Sequence, residues 1–274
     1  MCRLYGIRST HYTKIHCELL SVQNSLIGQA EEDSRGYPNP HGWGIGMYRD
    51  GKTICRRQED PAHKSEKYRE TSMDTHAETA IAHIRRATVG EPRLENTHPF
   101  CTDNSFLAHN GHVDHFEVVG EDIREFLPEQ RCDAIEGSTD SEHFFQLVLH
   151  EYEDRGADTM HQALQRATKR LRQWVRAVPG EGEGGLGLNI LWVYDGQLAG
   201  SRLDRTLWMR CRDTDPICPI CDQHHADVGD EPYRFIEFAS ERLTMDDNWE
   251  PVPDYSVFWI DDEFEVQFEP MLGV

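Results

Sequence analysis

Lysine, long apolar runs and internal repeats are scarce or missing in this 274-residue sequence. Only five of its 28 basic residues are lysine, and no apolar run approaches the ~18 residues of a membrane-spanning helix. The first residues lack the charged-then-apolar pattern of a secretory signal. These absences predict a soluble cytoplasmic protein with no membrane partner, folded as a single domain over residues 2–274.

Basic residues are also too few to balance the acidic ones. The sequence holds 49 Asp and Glu residues against 28 Lys and Arg, a net charge of −21, and no basic stripe interrupts the acidity. This balance excludes a nucleic-acid partner, because phosphate binding depends on clustered positive charge. The acidic surface is explained either by ordinary solubility or by a high-salt cytoplasm.

Eight cysteines remain to be explained in a chain without a secretory signal. In that context they indicate free thiols or metal ligands, not disulfides. Cys211, Cys218, Cys221 and His224 follow the spacing of a structural zinc site. They define an insertion at about 211–225, for which a polar loop with incidental thiols is the alternative.

The hydrophobic pattern changes along the chain from strands to helices and back to strands. The Asp50-Gly51 turn predicts a hairpin, and a flexible turn is expected over residues 180–187. Strands are predicted at 43–48, 53–56, 79–85, 104–111, 189–194, 197–202, 206–210, 233–239, 256–260 and 263–268, and helices at 17–30, 66–73, 121–126, 140–154 and 157–178, with Ser138 or Thr139 as a cap. This order predicts an α+β fold with helices packed on antiparallel strands.

Cys2 follows the initiator methionine directly. Removal of Met1 would give Cys2 a free α-amine, so that one residue carries both a thiol nucleophile and a base. Reference pKa values of roughly 8.5 for the thiol and 8 for the amine leave each partly reactive near neutral pH. Taken alone, the position of Cys2 favours the simpler interpretation of a small buried residue on a first strand.

Four further motifs are ordinary individually but follow a specific order. They are His-x-Arg-x-Ala-Thr-x-Gly at residues 83–90, His98-Pro99, His109-Asn110-Gly111, and Ser-Thr-Asp-Ser-Glu at residues 138–142. With the N-terminal Met-Cys, this order resembles the class II glutamine amidotransferases of the N-terminal-nucleophile hydrolase superfamily. Residues 42–46, 238–243 and 249–253 resemble its stand-alone branch, which includes γ-glutamyl hydrolases of ergothioneine biosynthesis and glutathione degradation.

The resemblance implies an αββα sandwich of two antiparallel sheets with outer helices. Cys2 would attack a γ-glutamyl amide, and the Asn110 amide and Gly111 N–H would bind the oxyanion. Arg85 would clamp the substrate α-carboxylate with help from Thr88, and Asp140 would pair with the α-ammonium group.

His98 would lie near the small-molecule γ-glutamyl substrate as supporting structure. Arg86 stands where several synthase-linked members have Trp, so the docking of a lid or acceptor domain does not carry over. No cofactor is expected for catalysis, and zinc would be structural.

Three functions remain open at this stage. A free-standing hydrolase would cleave glutamine or a γ-glutamyl conjugate through a Cys2 thioester, whereas a glutaminase subunit would pass ammonia to a separate synthase partner. A non-catalytic module would instead use the Cys/His insertion as an interaction knuckle. Both enzyme functions require that Met1 be removed.

Overall fold

Two antiparallel sheets form the centre of the computed structural model, which describes residues 2–178, 184–213, 217–229 and 231–271. The strands are β1 (Arg3–Lys14), β2 (Trp43–Arg49), β3 (Lys52–Gln58), β4 (His76–Ile84), β5 (Phe100–Cys101), β6 (Ser105–Val113), β7 (Leu186–Tyr194), β8 (Gln197–Arg202), β9 (Trp208–Arg212), β10 (Phe235–Ala239), β11 (Glu250–Pro251), β12 (Ser256–Ile260) and β13 (Val266–Pro270). The first sheet has the order β11-β9-β10-β1-β4-β2-β3, and the second has the order β13-β12-β8-β7-β6-β5.

Helices lie outside both sheets. They are α1 (His16–Leu20), α2 (Leu26–Glu31), α3 (Glu66–Asp74), α4 (Phe116–Phe126), α5 (Glu129–Asp133), α6 (Asp140–Leu149), a π-helical turn (His150–Asp154) and α7 (Met160–Ala177), with 3-10 turns at Ala62–Lys64 and Leu94–Asn96. The predicted cap of α6 is Thr139, whose side chain accepts from the Glu142 N–H. Within the described ranges, no helix has the length and apolar character needed to cross a membrane.

Three apolar clusters correspond to the three interfaces of a four-layer sandwich. One joins α1–α3 to the first sheet through residues such as Leu19 and Tyr68. Another joins α4, α6 and α7 to the second sheet, and a third, containing Leu4 and Leu191, fills the space between the sheets. The predicted α+β sandwich of antiparallel sheets is therefore confirmed.

Alternation along β1 determines which side chains face the space between the sheets. Tyr5 and Ile7 belong to the helix-side cluster, whereas Leu4 belongs to the inter-sheet cluster. Gly6 shares the inter-sheet face, and a Cβ there would lie 2.5 Å from the Leu191 side chain, so only glycine allows this close approach. Because side chains alternate with a period of two, Cys2 begins the same inter-sheet face.

Two local predictions differ from the structure. The predicted helix 17–30 is interrupted, because Ser25 is extended at φ −61° and ψ 156° and the Asn24 N–H donates to the Leu243 carbonyl. The predicted flexible turn over 180–187 is described only in part: residues 179–183 lie outside the described ranges, and residues 186 and 187 belong to β7.

One pair of cysteines departs from the expectation of free thiols. Cys55 on β3 and Cys101 on β5 form a disulfide, with Cα atoms 6.8 Å apart. The two strands are edge strands of different sheets, so the bond links the sheets at one side of the sandwich. Sequence separation hides this pairing, because the two positions are 46 residues apart along the chain.

Candidate active site

A narrow cleft between the sheets gathers most of the residues that the sequence motifs indicate. Its lining includes the predicted residues Cys2, Arg85, Thr88, His98, Gly111 and Asp140. The volume of the cleft is about 20 Å³, close to the space of a single water molecule. Asn110, on the inter-sheet face of β6 beside Ala108, lies next to this cleft.

The Cys2 thiol is held by the backbone of one neighbour. Its Sγ accepts from the Arg86 N–H at 3.3 Å and donates to the Arg86 carbonyl at 3.4 Å. Burial raises the pKa of the thiol, and the positive charges of Arg85 and Arg3 oppose that rise. The resting group is therefore a neutral thiol, which needs a base to become a nucleophile.

A buried ion cluster that the motifs do not reveal fixes the backbone of Cys2. Arg3 donates to the Cys2 carbonyl at 2.9 Å and pairs with Asp33 at 2.6 Å and Glu241 at 2.7 Å. Arg3 and Asp33 have almost no exposed side-chain surface. The partners come from three separate parts of the chain, so no local spacing could have predicted them.

Arg85 leaves the end of β4 and is held by the loop that follows. Its guanidinium donates to the carbonyls of Val89, Gly90 and Glu91 at 3.0–3.1 Å. The side chain is only 2% exposed. Burial lowers the pKa of Arg85, while the nearby Cys2 and Asp140 raise it, so a fixed positive charge faces the cleft.

Asn110 and Gly111 lie on β6, opposite Asn189 and Leu188 of β7. The Asn110 amide donates to Ser240 Oγ at 3.1 Å, and Ser240 Oγ also accepts from the Leu4 N–H at 3.0 Å. Ser240 therefore orients the amide relative to the first strand. The amide nitrogen carries a second N–H, which can be offered to an oxyanion.

Gly111 has no space for a side chain. A Cβ at this position would lie 1.7 Å from the Gly187 carbonyl oxygen and 2.4 Å from His109 Nε2. Only glycine allows β6 and β7 to pair here with the His109 ring beside them. The glycine of the His-Asn-Gly motif is thus required by packing as well as by the chemistry expected of its N–H.

Asp140 connects the cleft to a hydrogen-bonded network behind it. Its carboxylate accepts from the N–H groups of Val113 at 3.0 Å and Ser141 at 2.8 Å. His109 Nε2 donates to the Gly187 carbonyl at 2.8 Å, and its Nδ1 lies 2.8 Å from Ser141 Oγ. Burial lowers the pKa of His109, and the Ser141 hydroxyl connects this ring to Asp140 Oδ1, which lies 3.1 Å away.

His98 and Thr88 take different positions in the cleft. His98 is 4% exposed and its ring centroid lies 4.2 Å from that of His83. Burial holds the pKa of His98 well below its usual range and lowers that of His83 to about 3, so both rings are neutral. Thr88, in contrast, is exposed on the loop that follows β4.

The Cys/His insertion does not gather the four ligands expected from spacing. His16, Cys17, Cys221 and His225 come together instead, with their donor atoms all within 4.8 Å of one another. Cys218 contributes a thiol that contacts Cys17.

Of the four predicted ligands only Cys221 is a member of this group, and Cys211 and His224 lie apart from it. Both are exposed, Cys211 on β9 and His224 beside the buried His225. The correction has a simple cause: the partners come from α1, about 200 residues earlier, where no Cys-x2-Cys spacing marks them. Residues 214–216 of the insertion lie outside the described ranges.

Comparison with known proteins places these features in one family. Residues 1–258 match the family described as glutamine amidotransferases class-II. The probable glutamine amidotransferase DUG3 of Saccharomyces cerevisiae is 25% identical over 195 residues, which cover 64% of this chain and 54% of that protein. The putative glutamine amidotransferase YafJ of Escherichia coli is 32% identical over 167 residues, 57% of this chain and 56% of that protein. The chain spans about half the length of these curated relatives.

Solved structures share the fold. A glutamine aminotransferase class-II domain protein from Silicibacter pomeroyi superposes with a TM-score of 0.64 at 20% identity, covering 98% of this chain and 99% of that chain. Glutamine phosphoribosylpyrophosphate amidotransferase from Bacillus subtilis gives a TM-score of 0.65 at 17% identity, covering all of this chain and 50% of that one. With the family match extending over most of its residues, this chain belongs to the class II glutamine amidotransferases and has their N-terminal-nucleophile hydrolase fold.

Proposed function

We propose that the protein hydrolyses the γ-glutamyl amide bond of glutamine or of a γ-glutamyl conjugate, with Cys2 as the nucleophile. The observation that carries this proposal is the shared lining of one cleft by Cys2, Arg85, Gly111 and Asp140. A thiol, a fixed cation, a backbone donor and a carboxylate are the four groups that this reaction needs. The substrate is a small molecule, and catalysis requires no cofactor.

The two charged residues suit the glutamyl end of the substrate. Loop carbonyls use three of the guanidinium N–H donors of Arg85, which leaves further donors for an α-carboxylate in planar geometry. The Asp140 carboxylate lines the same cleft and would pair with the α-ammonium group. Thr88 and His98 border the site, where Thr88 would add a hydrogen bond to the carboxylate.

The bond changes follow from the position of Cys2 at the start of β1. After Met1 is removed, the α-amine takes the thiol proton and Sγ attacks the amide carbon. The Asn110 amide and the Gly111 N–H stabilise the oxyanion, and the amine returns the proton to the leaving ammonia or amine. Water then hydrolyses the Cys2 thioester to release glutamate and the free thiol. The raised pKa of the buried thiol makes such a base necessary.

The small volume of the cleft implies a movement on binding. A volume of about 20 Å³ cannot hold a glutamyl group. The exposed loop around Thr88 forms one wall, so we expect residues 86–90 to shift outward when substrate enters. This loop also positions the Cys2 thiol through Arg86, which links admission of substrate to the nucleophile.

A second candidate is ammonia transfer to a synthase partner. It is favoured by similarity to a glutamine–fructose-6-phosphate aminotransferase of Chlamydia trachomatis, which is 29% identical over 156 residues that make up 23% of that protein. In such a relative the matched region is part of a longer chain. A separate protein would have to accept the ammonia released here.

The deciding experiment is labelling of the purified protein with 6-diazo-5-oxo-norleucine, an electrophilic glutamine analogue, followed by intact-mass analysis and peptide mapping. We expect loss of Met1 and one adduct on Cys2. The Cys2→Ala variant should gain no adduct, and Cys132→Ala, which removes another free thiol, should label like the parent.

A processed chain that stays unlabelled, or an adduct on another thiol, would contradict the proposal and favour a non-catalytic interaction module. Steady-state assays then separate the two enzyme functions. A high kcat/KM for bulky γ-glutamyl amides favours the free-standing hydrolase, whereas glutamine as sole substrate, with turnover raised by an added synthase, favours ammonia transfer.

A further inference from the structure

Sulfur and imidazole donors converge at the end of β1 opposite to Cys2. His16 and Cys17 open α1, and Cys221 and His225 belong to the segment between β9 and β10; their donor atoms all lie within 4.8 Å of one another. In a tetrahedral zinc site, ligand atoms are separated by about 3.3–3.8 Å. A small adjustment of side-chain torsions would therefore bring these four atoms around one ion.

The donors bond mainly with each other. Cys221 Sγ lies 3.3 Å from His225 Nε2, and the Cys17 thiol contacts the thiols of Cys221 and Cys218. The Nδ1 atom of His16 is buried and has no hydrogen-bond partner among the described residues. Buried polar atoms are normally paired with backbone, side chains or water. A cluster of thiols and imidazoles in mutual contact is the arrangement that a soft divalent ion completes.

The backbone around the cluster is already fixed. Asp222 N–H donates to the Cys218 carbonyl and Cys218 N–H to the Gln223 carbonyl, each at 2.9 Å. The Ile220 N–H points at Cys218 Sγ at 3.4 Å, and Asp222 has a positive φ of 54°. This tight turn sets the direction of the Cys221 side chain.

The turn is also attached to the first strand. The Lys14 N–H donates to the His225 carbonyl at 2.9 Å, so one backbone hydrogen bond joins the segments that carry the two pairs of donors. The rings of His16 and His225 lie with their centroids 4.8 Å apart. The donors are thus brought together by backbone contacts that do not depend on a metal.

We propose that His16, Cys17, Cys221 and His225 bind one zinc ion, which ties α1 to the segment of residues 217–225. Two thiolates and two imidazoles are the ligand set of structural zinc sites, which use four protein ligands and leave no open position. The site lies about 30 Å along β1 from Cys2, because an irregularity between Arg8 and Thr13 shortens the strand so that residues 3–14 span only residues 76–84 of β4. Its role is to secure the far end of the nucleophile's strand, and it takes no part in the γ-glutamyl chemistry.

The test is the metal content of protein expressed with zinc and purified without chelators. We expect one zinc per chain in the parent and none in Cys17→Ser or Cys221→Ser. The controls are Cys211→Ser and His224→Gln, which alter exposed neighbours outside the cluster and should keep the zinc. Replacement of zinc by cobalt should give the visible ligand-field bands of a tetrahedral thiolate site.

Chelation of the parent protein keeps the test valid if the cysteine variants do not fold. Removal of zinc should lower the melting temperature, and re-addition of zinc should restore it. Substoichiometric zinc in the parent, or equal loss in Cys211→Ser, would overturn the site, as would a Cys17–Cys221 disulfide found by mass analysis of the alkylated protein.

A separate pair of variants tests whether His16 or Cys218 is the fourth ligand. Loss of zinc in His16→Asn with retention in Cys218→Ser supports the proposed set, and the opposite result would overturn the assignment of His16. Labelling of Cys2 distinguishes this proposal from the proposed function, because folded chelated protein should still take up the glutamine analogue. Failure to label would count against the enzyme proposal and leave the zinc content unaffected.

Discussion

The two ends of β1 carry polar clusters that are stabilised in different ways. At the Cys2 end, each charged group is held by protein atoms: Arg85 by three loop carbonyls, Asp140 by two N–H groups, and Arg3 by two carboxylates. At the Cys17 end, thiols and imidazoles contact mainly each other. One cluster is complete as the chain folds, and the other has the composition of a site that a metal completes.

The cluster near Cys2 positions groups for chemistry, whereas the cluster near Cys17 stabilises the fold. A preorganised cleft places charges where a substrate will bind, and it keeps them there because each is already hydrogen-bonded. A zinc cluster instead depends on the ion for part of its folding free energy. We therefore expect mutations at the Cys2 end to be insensitive to chelators and those at the Cys17 end to be sensitive to them.

The largest effect on the free energy of unfolding is expected at the buried ion cluster of Arg3, Asp33 and Glu241. Arg3→Met leaves the carboxylates of Asp33 and Glu241 without their partner, and loss of one member of a buried pair costs about 3–5 kcal/mol. Urea unfolding should show this loss equally with and without zinc. A zinc-dependent loss would mean that the two ends of β1 are coupled, contrary to the comparison.

The next largest effect on the free energy of unfolding is expected at Gly111. Gly111→Ala should lower the free energy of unfolding by about 3 kcal/mol, because its Cβ would overlap the Gly187 carbonyl oxygen. The matched control is Gly28→Ala in α2, whose Cβ meets only an ordinary contact at 3.5 Å. That change should raise stability by about 0.5–1 kcal/mol. Similar denaturation midpoints for both variants would contradict this account of β6 and β7.

Substitution of Asn110 tests the proposed chemistry. Asn110→Ala removes a donor proposed for the oxyanion and should lower kcat by about 100-fold. Binding of the glutamine analogue before reaction should persist, because Arg85 and Asp140 are unchanged. A large rise in KM with unchanged kcat would indicate that Asn110 binds the ground state instead.

The effect of acid on stability accumulates gradually with pH. Burial lowers the pKa of His83 to about 3 in the folded chain, whereas an unfolded histidine titrates near 6.5. Below about pH 6.5 the unfolded chain takes up a proton that the folded chain does not, so stability falls by up to about 1.4 kcal/mol per pH unit for this residue.

Denaturation between pH 6.5 and 4 checks this sign. His83→Gln should make the decline shallower, whereas His224→Gln, an exposed control, should leave it unchanged. An unaltered decline in His83→Gln would assign the acid sensitivity to other groups.

The order of strands and helices predicted an α+β fold with antiparallel strands, because strand and helix periodicities are local signals, whereas the sandwich and the cleft residues were implied by the resemblance of short ordered motifs to a known family. Cys2, Arg85, Gly111 and Asp140 follow from them and meet in one place. The residues that hold the cleft in place could not be predicted in this way, because Ser240 and Glu241 come from the C-terminal part of the chain and bond to residues of β1. The zinc prediction shows the same limit, because spacing favoured Cys211 and His224 whereas the fold supplies Cys17 and His16.

The central place of β1 in its sheet has a consequence for how the protein is made. Tyr5 pairs with Ala82 on one side and with Ala239 on the other, so one neighbour is synthesised early and the other late. Such long-range pairing slows folding. Until residues 235–239 have emerged from the ribosome, β1 has an open edge able to pair with other chains. Truncation before residue 235 should therefore cause aggregation, even though every residue proposed for catalysis is retained.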